Sequence, residues 1–321
     1  MPESSNKIRL RLLGLPPIDS LDDLAALTHL SKGLIFRLCR FSNYYYKVYE
    51  IPKRSGGLRS ISQPSKEMKA LQGWILRNIL NRLQVSTACK GFERGVSVVQ
   101  NALPHCGSNA VLCIDLDNFF HTVKINQVWS VFRTVGYSPR VAAFLASICC
   151  FKDHLPQGAA TSPKLANLVA LRLDSRMLGY VGKKGIVYTR YADDLTFSAL
   201  SPRKLIACFP FIRHVITSEG FTVNDKKTRL AGPARAHKVT GLVVTDVEVG
   251  IGRKRLRMLR AEILDFCRRP TSEASRVEAD RLTGWLAYVN SVDKPRRKIL
   301  STYISRLKEK YQGSAVSDIG P

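Results

Sequence analysis

The sequence has no long uncharged apolar run and no Cys-x-x-Cys spacing. Its longest nearly apolar stretch, residues 141–151, is too short to cross the roughly 30 Å hydrocarbon core of a bilayer. Arg9 and Arg11 interrupt the first apolar stretch, which excludes the apolar core of a signal peptide. The eight cysteines lack the spacing of a zinc site, and free thiols are typical of a reducing compartment. We therefore expect a soluble, cytoplasmic protein with no membrane partner.

Acidic residues are also scarce. The chain has 25 Asp and Glu against 50 Lys and Arg, a formal net charge of +25. So positive a surface attracts polyanions, and nucleic acid is the usual partner. An apolar share of 45% is ordinary for a folded protein, and 321 residues allow two or three lobes. The composition excludes wholesale disorder and favours nucleic-acid binding.

Hydrophobic periodicity predicts an α+β protein in which mixed strands are covered by helices on one side. Two short helices are expected over 6–40, the first with a capping box formed by Ser20 and Asp23. The predicted strands cover residues 44–51, 58–62, 110–116, 185–191, 195–198, 221–230 and 239–244. The other predicted helices cover 68–83, two segments within 125–151, 162–178, 201–220 and much of 253–311. Local patterns leave the strand order open.

Two acidic features occupy strand ends. Asp115 ends a hydrophobic strand, and Asp193-Asp194 lies between two strands, at the tip of a predicted hairpin. Taken singly, Asp115 is equally explained as a helix cap, and the adjacent pair as a solvated turn. Together, and in so basic a chain, they favour a cation site, because adjacent carboxylates repel one another unless a cation neutralises them. Oxygen ligands suit Mg²⁺, and two such ions about 3.5–4 Å apart catalyse phosphoryl transfer.

The same residues resemble the catalytic motifs of reverse transcriptases. Tyr-Ala-Asp-Asp at 191–194 resembles motif C, and Asp115 followed by Phe120 is similar to motif A. The resemblance implies that Asp115, Asp193 and Asp194 hold two Mg²⁺ ions. It also implies that Phe120 is a steric gate that rejects the ribose 2′-OH. The role of Asp117 stays open.

A reverse transcriptase has the fold of a right-hand polymerase, with fingers, a palm made of an antiparallel sheet backed by helices, and a helical thumb. The resemblance implies four regions in this chain. They are an N-terminal helical segment (1–40), fingers with the first palm elements (41–109), a catalytic palm with inserted fingers helices (110–245) and a basic helical thumb that binds RNA (246–321).

Three further motifs are similar to parts of the family that contact the incoming dNTP. Residues 155–163 resemble motif B, residues 53–59 the fingers hairpin, and Lys226-Lys227 motif D, whose lysine donates a proton to pyrophosphate. The choice between the two lysines stays open. The residues that the resemblance places at the nucleotide are Lys53, Arg59, Phe120, Gln157, Gly158, Lys226 and Lys227.

Two short elements resemble those of bacterial retron reverse transcriptases. Asn101 to His105 matches the NAxxH element, and Val239-Thr240-Gly241 matches the VTG element. This resemblance implies a cognate structured noncoding RNA (msr-msd) and priming from an RNA 2′-OH. The product would be a branched RNA–DNA hybrid, msDNA, made in anti-phage defence together with an effector or toxin protein. Asn101, His105, Thr240 and Gly241 would contact the RNA.

Basic residues continue along the C-terminal helices. Arginines spaced along helices bind phosphates, and Trp285, Tyr288 or Tyr303 would stack on unpaired bases. The alternative is a solvated face over core aromatics. The arginines expected at RNA are Arg253, Arg255, Arg257, Arg296 and Arg297.

Three other functions remain open on the sequence. The first is another bacterial reverse transcriptase of the intron, diversity-generating or abortive-infection type, which the NAxxH and VTG elements disfavour. The second is a catalytically idle RNA-binding scaffold, which has no need of clustered carboxylates. The third is an RNA-templated RNA polymerase, whose ribonucleotide Phe120 would obstruct.

Overall fold

The computed structural model describes residues 5–53, 56–269 and 276–311. Arg54 and Ser55, in the turn of the expected fingers hairpin, lie outside these residues. The strands in the described part are β1 (Tyr46–Pro52), β2 (Leu58–Pro64), β3 (Ala110–Leu116), β4 (Val187–Tyr191), β5 (Asp194–Ala199), β6 (Val223–Ala231), β7 (His237–Val239), β8 (Leu242–Val244) and β9 (Val249–Gly250). The α-helices are α1 (Ser5–Leu12), α2 (Leu21–Thr28), α3 (Lys32–Arg40), α4 (Lys66–Asn78), α5 (Val98–Ala102), α6 (Phe119–Thr122), α7 (Ile125–Val135), α8 (Pro139–Cys149), α9 (Ser162–Val169), α10 (Leu171–Val181), α11 (Pro202–Ser218), α12 (Gly252–Arg268), α13 (Arg276–Val292) and α14 (Lys294–Lys310).

A four-stranded antiparallel sheet in the order β4-β5-β3-β6 positions the acidic residues. Side chains alternate along β3, which is buried on both faces. Leu112 and Ile114 pack into one hydrophobic core beneath α10 and α11, whereas Val111 belongs to a second core on the other face. Asp115 follows the same alternation as Val111, so it lies on the face turned away from α10 and α11.

The N-terminal region contains three helices where two were expected. The capping box of α2 is confirmed, since Ser20 Oγ accepts from Asp23 N at 3.2 Å and Asp23 accepts from Ser20 N at 3.1 Å. His29 ends α2 in the left-handed conformation, at φ 56°. The additional helix is α1, whose arginines obscure its short apolar stripe; Leu10 of α1 is nevertheless fully buried.

The single helix expected over 162–178 is two helices, α9 and α10. They meet at Ala170, whose φ and ψ of −74° and 0° bend the chain without interrupting its hydrogen bonds. Ala170 N still bonds to Ala166 O, and Asp174 N to Ala170 O. Past this bend, α10 packs against β4.

The second core joins α12, α13 and α14 to a three-stranded sheet in the order β7-β8-β9. The strand expected over 239–244 is a hairpin, because Thr240 and Gly241 both adopt positive φ, at 46° and 86°. Two central residues with positive φ are the requirement of a tight type I′ turn. This core also includes Ala102 and Val111, far ahead of the expected boundary at residue 246, and the four-region division stays a prediction.

No helix in the described ranges is long and apolar enough to cross a membrane. The eight cysteines, all of which fall within those ranges, are free.

Candidate active site

The three predicted acidic residues meet at one edge of the four-stranded sheet. Asp115 on β3 lies directly opposite Asp194 on β5. Leu116 N donates to Asp193 O at 2.9 Å, which ties the tip of the β4–β5 hairpin to the end of β3. Ala192 makes the tip possible, since it takes up the left-handed conformation at φ 58°. Asp117 lies just beyond, exposed, and accepts from Asn118 Nδ2 at 3.0 Å.

Burial and like charge both act on the carboxylates at this edge. Burial, reinforced by the charges of Asp193 and Asp115, raises the pKa of Asp194 to about 6. Burial also raises the pKa of Asp193, and the charge of Asp115 adds to the effect. Lys227 on β6 partly compensates, as its Nζ donates to Asp115 Oδ1 at 2.9 Å and Oδ2 at 3.0 Å. This hydrogen bond to Asp115 in turn raises the pKa of Lys227.

These residues fit a divalent cation that substrate helps to bind. Within the described residues, no three His, Cys, Asp or Glu side chains converge as a ready-made metal cage. Mg²⁺ is ordinarily held by one or two carboxylates together with substrate phosphates, so an open set of carboxylates is the expected arrangement. Burial and the like charges of Asp193 and Asp115 raise the pKa of Asp194, and a divalent ion would offset both effects. The ammonium of Lys227 already supplies one positive charge there.

The two motif D lysines differ in position. Both are exposed on β6, whose pairing with β3 is irregular between Asn224 and Arg229, and Lys227 Nζ reaches Asp115. Arg229 lies opposite Cys113, and its charge acts to lower the pKa of Asp194. Sequence analysis missed Arg229, because the irregular pairing of β6 leaves no simple period that places its side chain.

Three of the residues expected at the nucleotide, Gln157, Gly158 and Phe120, pack against neighbouring segments of the chain. Gln157 O accepts from Ser62 N at 2.8 Å, so the motif B loop lies against β2. At Gly158, φ is 132° and an added Cβ would lie 2.8 Å from Ser62 O, so only glycine fits there. Phe120 is half-buried, with its ring centroid 6.0 Å from that of Phe92.

The fingers hairpin supplies two exposed cations. Lys53 directly follows β1 and Arg59 lies on β2. The charge of Arg59 acts to lower the pKa of Asp193, which places this guanidinium within electrostatic range of the carboxylates. The structure therefore places Arg59, Lys227 and Arg229 within electrostatic range of the acidic residues.

Comparison with known proteins decides the family. The family model for reverse transcriptase (RNA-dependent DNA polymerase) matches residues 51–244. Retron Ec86 reverse transcriptase of Escherichia coli is 44% identical over 312 residues, which cover 96% of each chain. Retron Mx65 reverse transcriptase of Myxococcus xanthus is 34% identical over 318 residues, covering 92% of this chain and 74% of the relative. The chain belongs to the retron reverse transcriptases. It is thus an RNA-directed DNA polymerase, and its family uses divalent metal ions.

Solved structures agree on the fold. Telomerase from Candida Tropicalis, in complex with a TWJ fragment of telomeric RNA, gives a TM-score of 0.52 at 12% identity, over 83% of this chain. The apo telomerase from Candida Tropicalis gives 0.51 at 11% identity, over 85% of this chain. This retron enzyme spans a little over half of those chains, 55% and 57%. At such identities the likeness concerns the fold alone, and the expected right-hand polymerase fold is confirmed.

The two retron elements meet behind the catalytic hairpin. Asn101 Nδ2 donates to Thr240 Oγ1 at 3.5 Å, across 139 positions of sequence. His105 lies between β4 and β5, with Nε2 2.8 Å from Thr189 Oγ1 and Nδ1 2.7 Å from Ser198 Oγ. Asn101 and His105 are 0% exposed, so in this conformation neither offers an atom to RNA. Burial therefore favours a supporting role in the sheet for Asn101 and His105. Thr240 is half-buried and Gly241 exposed, and contact of the four residues with RNA stays a prediction.

The buried imidazole makes stability depend on pH. Burial lowers the pKa of His105 from 6.5 to about 4, so between these values the unfolded chain binds a proton that the folded protein does not. The contribution of His105 to the free energy of unfolding is therefore fully present above the unfolded pKa and is lost as the pH falls towards 4. At roughly 1.4 kcal/mol per pKa unit the loss is about 3 kcal/mol. The free energy of unfolding, measured in urea between about pH 7.5 and pH 4.5, should show this loss in the wild type. The loss should be missing in His105→Gln. An equal pH dependence in both proteins would contradict it.

The five expected RNA-binding arginines divide by environment. Arg253, Arg257 and Arg297 are exposed. The Arg255 guanidinium lies 3.8 Å from the Trp285 ring centroid and so covers one face of that ring. Arg296 Nη1 donates to the buried Asp293 at 2.9 Å. The geometry leaves the three exposed arginines as the cations best placed for a phosphate.

Sequence analysis missed a set of buried polar residues behind the hairpin. Arg190 directly precedes the Tyr-Ala-Asp-Asp motif, is 0% exposed and pairs with Asp174. An arginine within an apolar strand was the available signal, because a buried charge requires a partner.

Proposed function

We propose that this retron reverse transcriptase copies part of its own structured noncoding RNA (msr-msd) into DNA. Synthesis begins at an RNA 2′-OH of a guanosine, and the product is branched msDNA. The observation that carries the proposal is the 44% identity to retron Ec86 reverse transcriptase across 96% of both chains. The contact between Asn101 and Thr240 supports it, because the two retron elements form one structural unit.

In this proposal Asp115, Asp193 and Asp194 hold two Mg²⁺ ions, which when bound activate the attacking hydroxyl and stabilise the leaving pyrophosphate. Lys53 and Arg59 bind the triphosphate of the dNTP, the arginine through its planar fork of donors. Gln157 and Gly158 lie against the nucleotide and template. Phe120 excludes the ribose 2′-OH of a ribonucleotide.

Lys227, rather than Lys226, donates the proton to pyrophosphate. Its Nζ lies 2.9 Å from Asp115 Oδ1, at the reacting edge. Lys227→Ala should lower kcat by roughly 10²-fold, the usual contribution of a general acid. The matched control, Lys226→Ala, removes the same charge one position away and should stay within about twofold of wild type. Single-turnover extension of a primed RNA template measures both, and equal losses would contradict the assignment.

RNA binding is proposed for the thumb. A cleft of about 1190 Å³ lies between the three-stranded sheet and helices α12 and α13. Arg253, Arg255, Trp285, Tyr288 and Gly241 are among the residues that line it. Basic and aromatic side chains on one surface suit phosphates and unpaired bases. We further propose that the enzyme works in the cytoplasm in anti-phage defence, together with an effector or toxin protein.

The proposal is tested with purified enzyme, a transcript of the RNA encoded beside its gene, and dNTPs, without an added primer. Radiolabelled DNA covalently joined to the transcript is the expected product. Synthesis only after addition of a DNA primer would favour an intron-type, diversity-generating or abortive-infection enzyme. RNA binding without any synthesis would favour an idle scaffold.

A further inference from the structure

A buried ion pair lies directly behind the catalytic hairpin. Arg190 on β4 and Asp174 on α10 both have 0% exposed side chains. Arg190 Nε donates to Asp174 Oδ1 and Nη2 donates to Oδ2, each at 2.8 Å. This fork-to-fork arrangement fixes the plane of the guanidinium. The orientation of its remaining nitrogen, Nη1, is thereby set.

The remaining nitrogen holds the hairpin tip. Arg190 Nη1 donates to Ala192 O at 3.1 Å and to Asn167 Oδ1 at 3.1 Å. Ala192 has the left-handed φ of 58° and immediately precedes Asp193. A lysine in place of Arg190 retains the charge but lacks the planar fork that makes these bonds at the same time. The contact is therefore specific to arginine.

Asn167 connects this tip to the helix that follows the nucleotide loop. Its Nδ2 donates to Gly91 O at 2.8 Å and to Glu93 Oε1 at 3.0 Å. Lys164, one turn earlier on α9, donates to Glu93 Oε2 at 2.7 Å. Helix α9 begins at Ser162, a few residues after Gln157. A continuous chain of hydrogen bonds thus runs from α9 to the catalytic tip.

Gly91 supports the tip from the other side. The segment that contains it pairs with β4, since Arg190 N donates to Ala88 O at 2.8 Å and Lys90 N to Arg190 O at 2.7 Å. A Cβ at Gly91 would lie 2.5 Å from Ala192 N, closer than any ordinary contact. The tip is therefore held between Gly91 and Arg190, with no room to shift towards Gly91.

We propose that Arg190 is a positioning residue for DNA synthesis. It holds the Ala192 carbonyl, and through it the backbone that presents Asp193 and Asp194, in register with α9 and the nucleotide loop. A buried ion pair is weak evidence for added stability, since apolar residues of similar size often serve as well. Here three guanidinium nitrogens donate to two side chains and to the carbonyl of the hairpin tip. Such a network is instead suited to fixing the position of the tip. This role rests on the proposed catalytic function of Asp193 and Asp194, and it does not depend on how the enzyme primes.

Arg190→Lys tests the proposal against the matched control Tyr188→Phe. Tyr188 Oη also donates to Asp174 Oδ1, at 2.8 Å, so both variants lose hydrogen bonds to the same carboxylate. Only Arg190→Lys releases the Ala192 carbonyl. With a generic RNA template and DNA primer, Arg190→Lys should lower kcat by roughly 10²-fold, the usual cost of a misplaced reacting group. Its KM for dNTP, and both constants of Tyr188→Phe, should stay within about twofold of wild type.

A second measurement does not depend on the catalytic activity of the variants. Amide hydrogen exchange of the substrate-free enzyme should be faster at residues 191–195 in Arg190→Lys and unchanged there in Tyr188→Phe. Equal kcat losses in both variants, or wild-type kcat in a folded Arg190→Lys, would overturn the proposal. Where Arg190→Lys fails to fold, Gly91→Ala decides, because it displaces the tip and leaves the ion pair intact. A large loss of kcat at unchanged KM then supports the role, and wild-type kcat overturns it.

Discussion

Replacing Asp193 and Asp194 together by alanine should abolish DNA synthesis, by at least about 10³-fold, and leave the affinity for RNA nearly unchanged. The reason is their position. Both lie at the sheet edge where Asp115 ends β3, and burial together with the neighbouring like charges raises the pKa of Asp194 to about 6. Replacing two of the three carboxylates removes most of the oxygen ligands proposed for the metal ions. It removes no cation that attracts a phosphate.

The measurement pairs primer extension with an RNA-binding titration on the same preparations. Asp225→Ala is the matched control, because Asp225 is an exposed carboxylate on β6 of the same sheet, bound to Arg213 rather than to the catalytic edge. It should keep synthesis within about twofold of wild type. Substantial residual DNA synthesis in the double variant would contradict a catalytic role for Asp193 and Asp194.

Replacing Arg253, Arg257 and Arg297 together by alanine should weaken binding of the cognate RNA by roughly 10²-fold or more at physiological salt. These three side chains are exposed on α12 and α14, where Arg255 and Arg296 are already bound to Trp285 and Asp293. Three lost phosphate contacts should reduce the slope of log affinity against log salt by about 3. Priming on the cognate RNA should fall with affinity, whereas extension of a generic primed template should change much less.

Lys183, Lys184 and Arg203 provide the charge-matched control. They are exposed cations in the turn that follows α10 and at the start of α11, and their replacement by alanine removes an equal number of charges. RNA affinity should then change by less than about threefold. Equal weakening in the two triple variants would mean that the net charge of the protein, and not a thumb surface, attracts the RNA.

The catalytic edge could be read from sequence because its signals are local. A hydrophobic strand that ends in Asp115, and two adjacent acidic residues between strand patterns, each occupy a few residues. The period of two along a strand then places them on defined faces. The antiparallel pairing that sets Asp115 opposite Asp194 supplies the only long-range step.

The supporting contacts were not predictable in this way. Arg190 and Asp174 belong to different layers, and the bend at Ala170 that separates α9 from α10 has no glycine or proline to mark it. Asn101 and Thr240 meet across 139 positions of sequence. The roles of these residues depend on their burial, which local sequence patterns do not predict. His105 matches a retron element, yet the fold buries it against Thr189 and Ser198 of two neighbouring strands.

The division of the thumb arginines has the same cause. Sequence spacing marks five cations along α12 and α14, but only tertiary packing brings Arg296 to Asp293 and Arg255 to Trp285. An arginine whose guanidinium already contacts another side chain binds a phosphate less strongly. The sequence therefore predicts a basic surface, and the structure shows that Arg253, Arg257 and Arg297 are its exposed members among the five.

The central claim is that this retron reverse transcriptase makes branched msDNA from its own RNA. The most direct test expresses the gene in bacteria with its native flanking DNA, beside a strain that carries Asp193→Ala and Asp194→Ala. Total nucleic acid from both is run on a denaturing gel, with and without debranching enzyme. We expect a discrete RNase-resistant DNA species whose gel mobility changes after debranching and which is present only with the intact enzyme. A species that is unbranched, or that persists in the double variant, would contradict it.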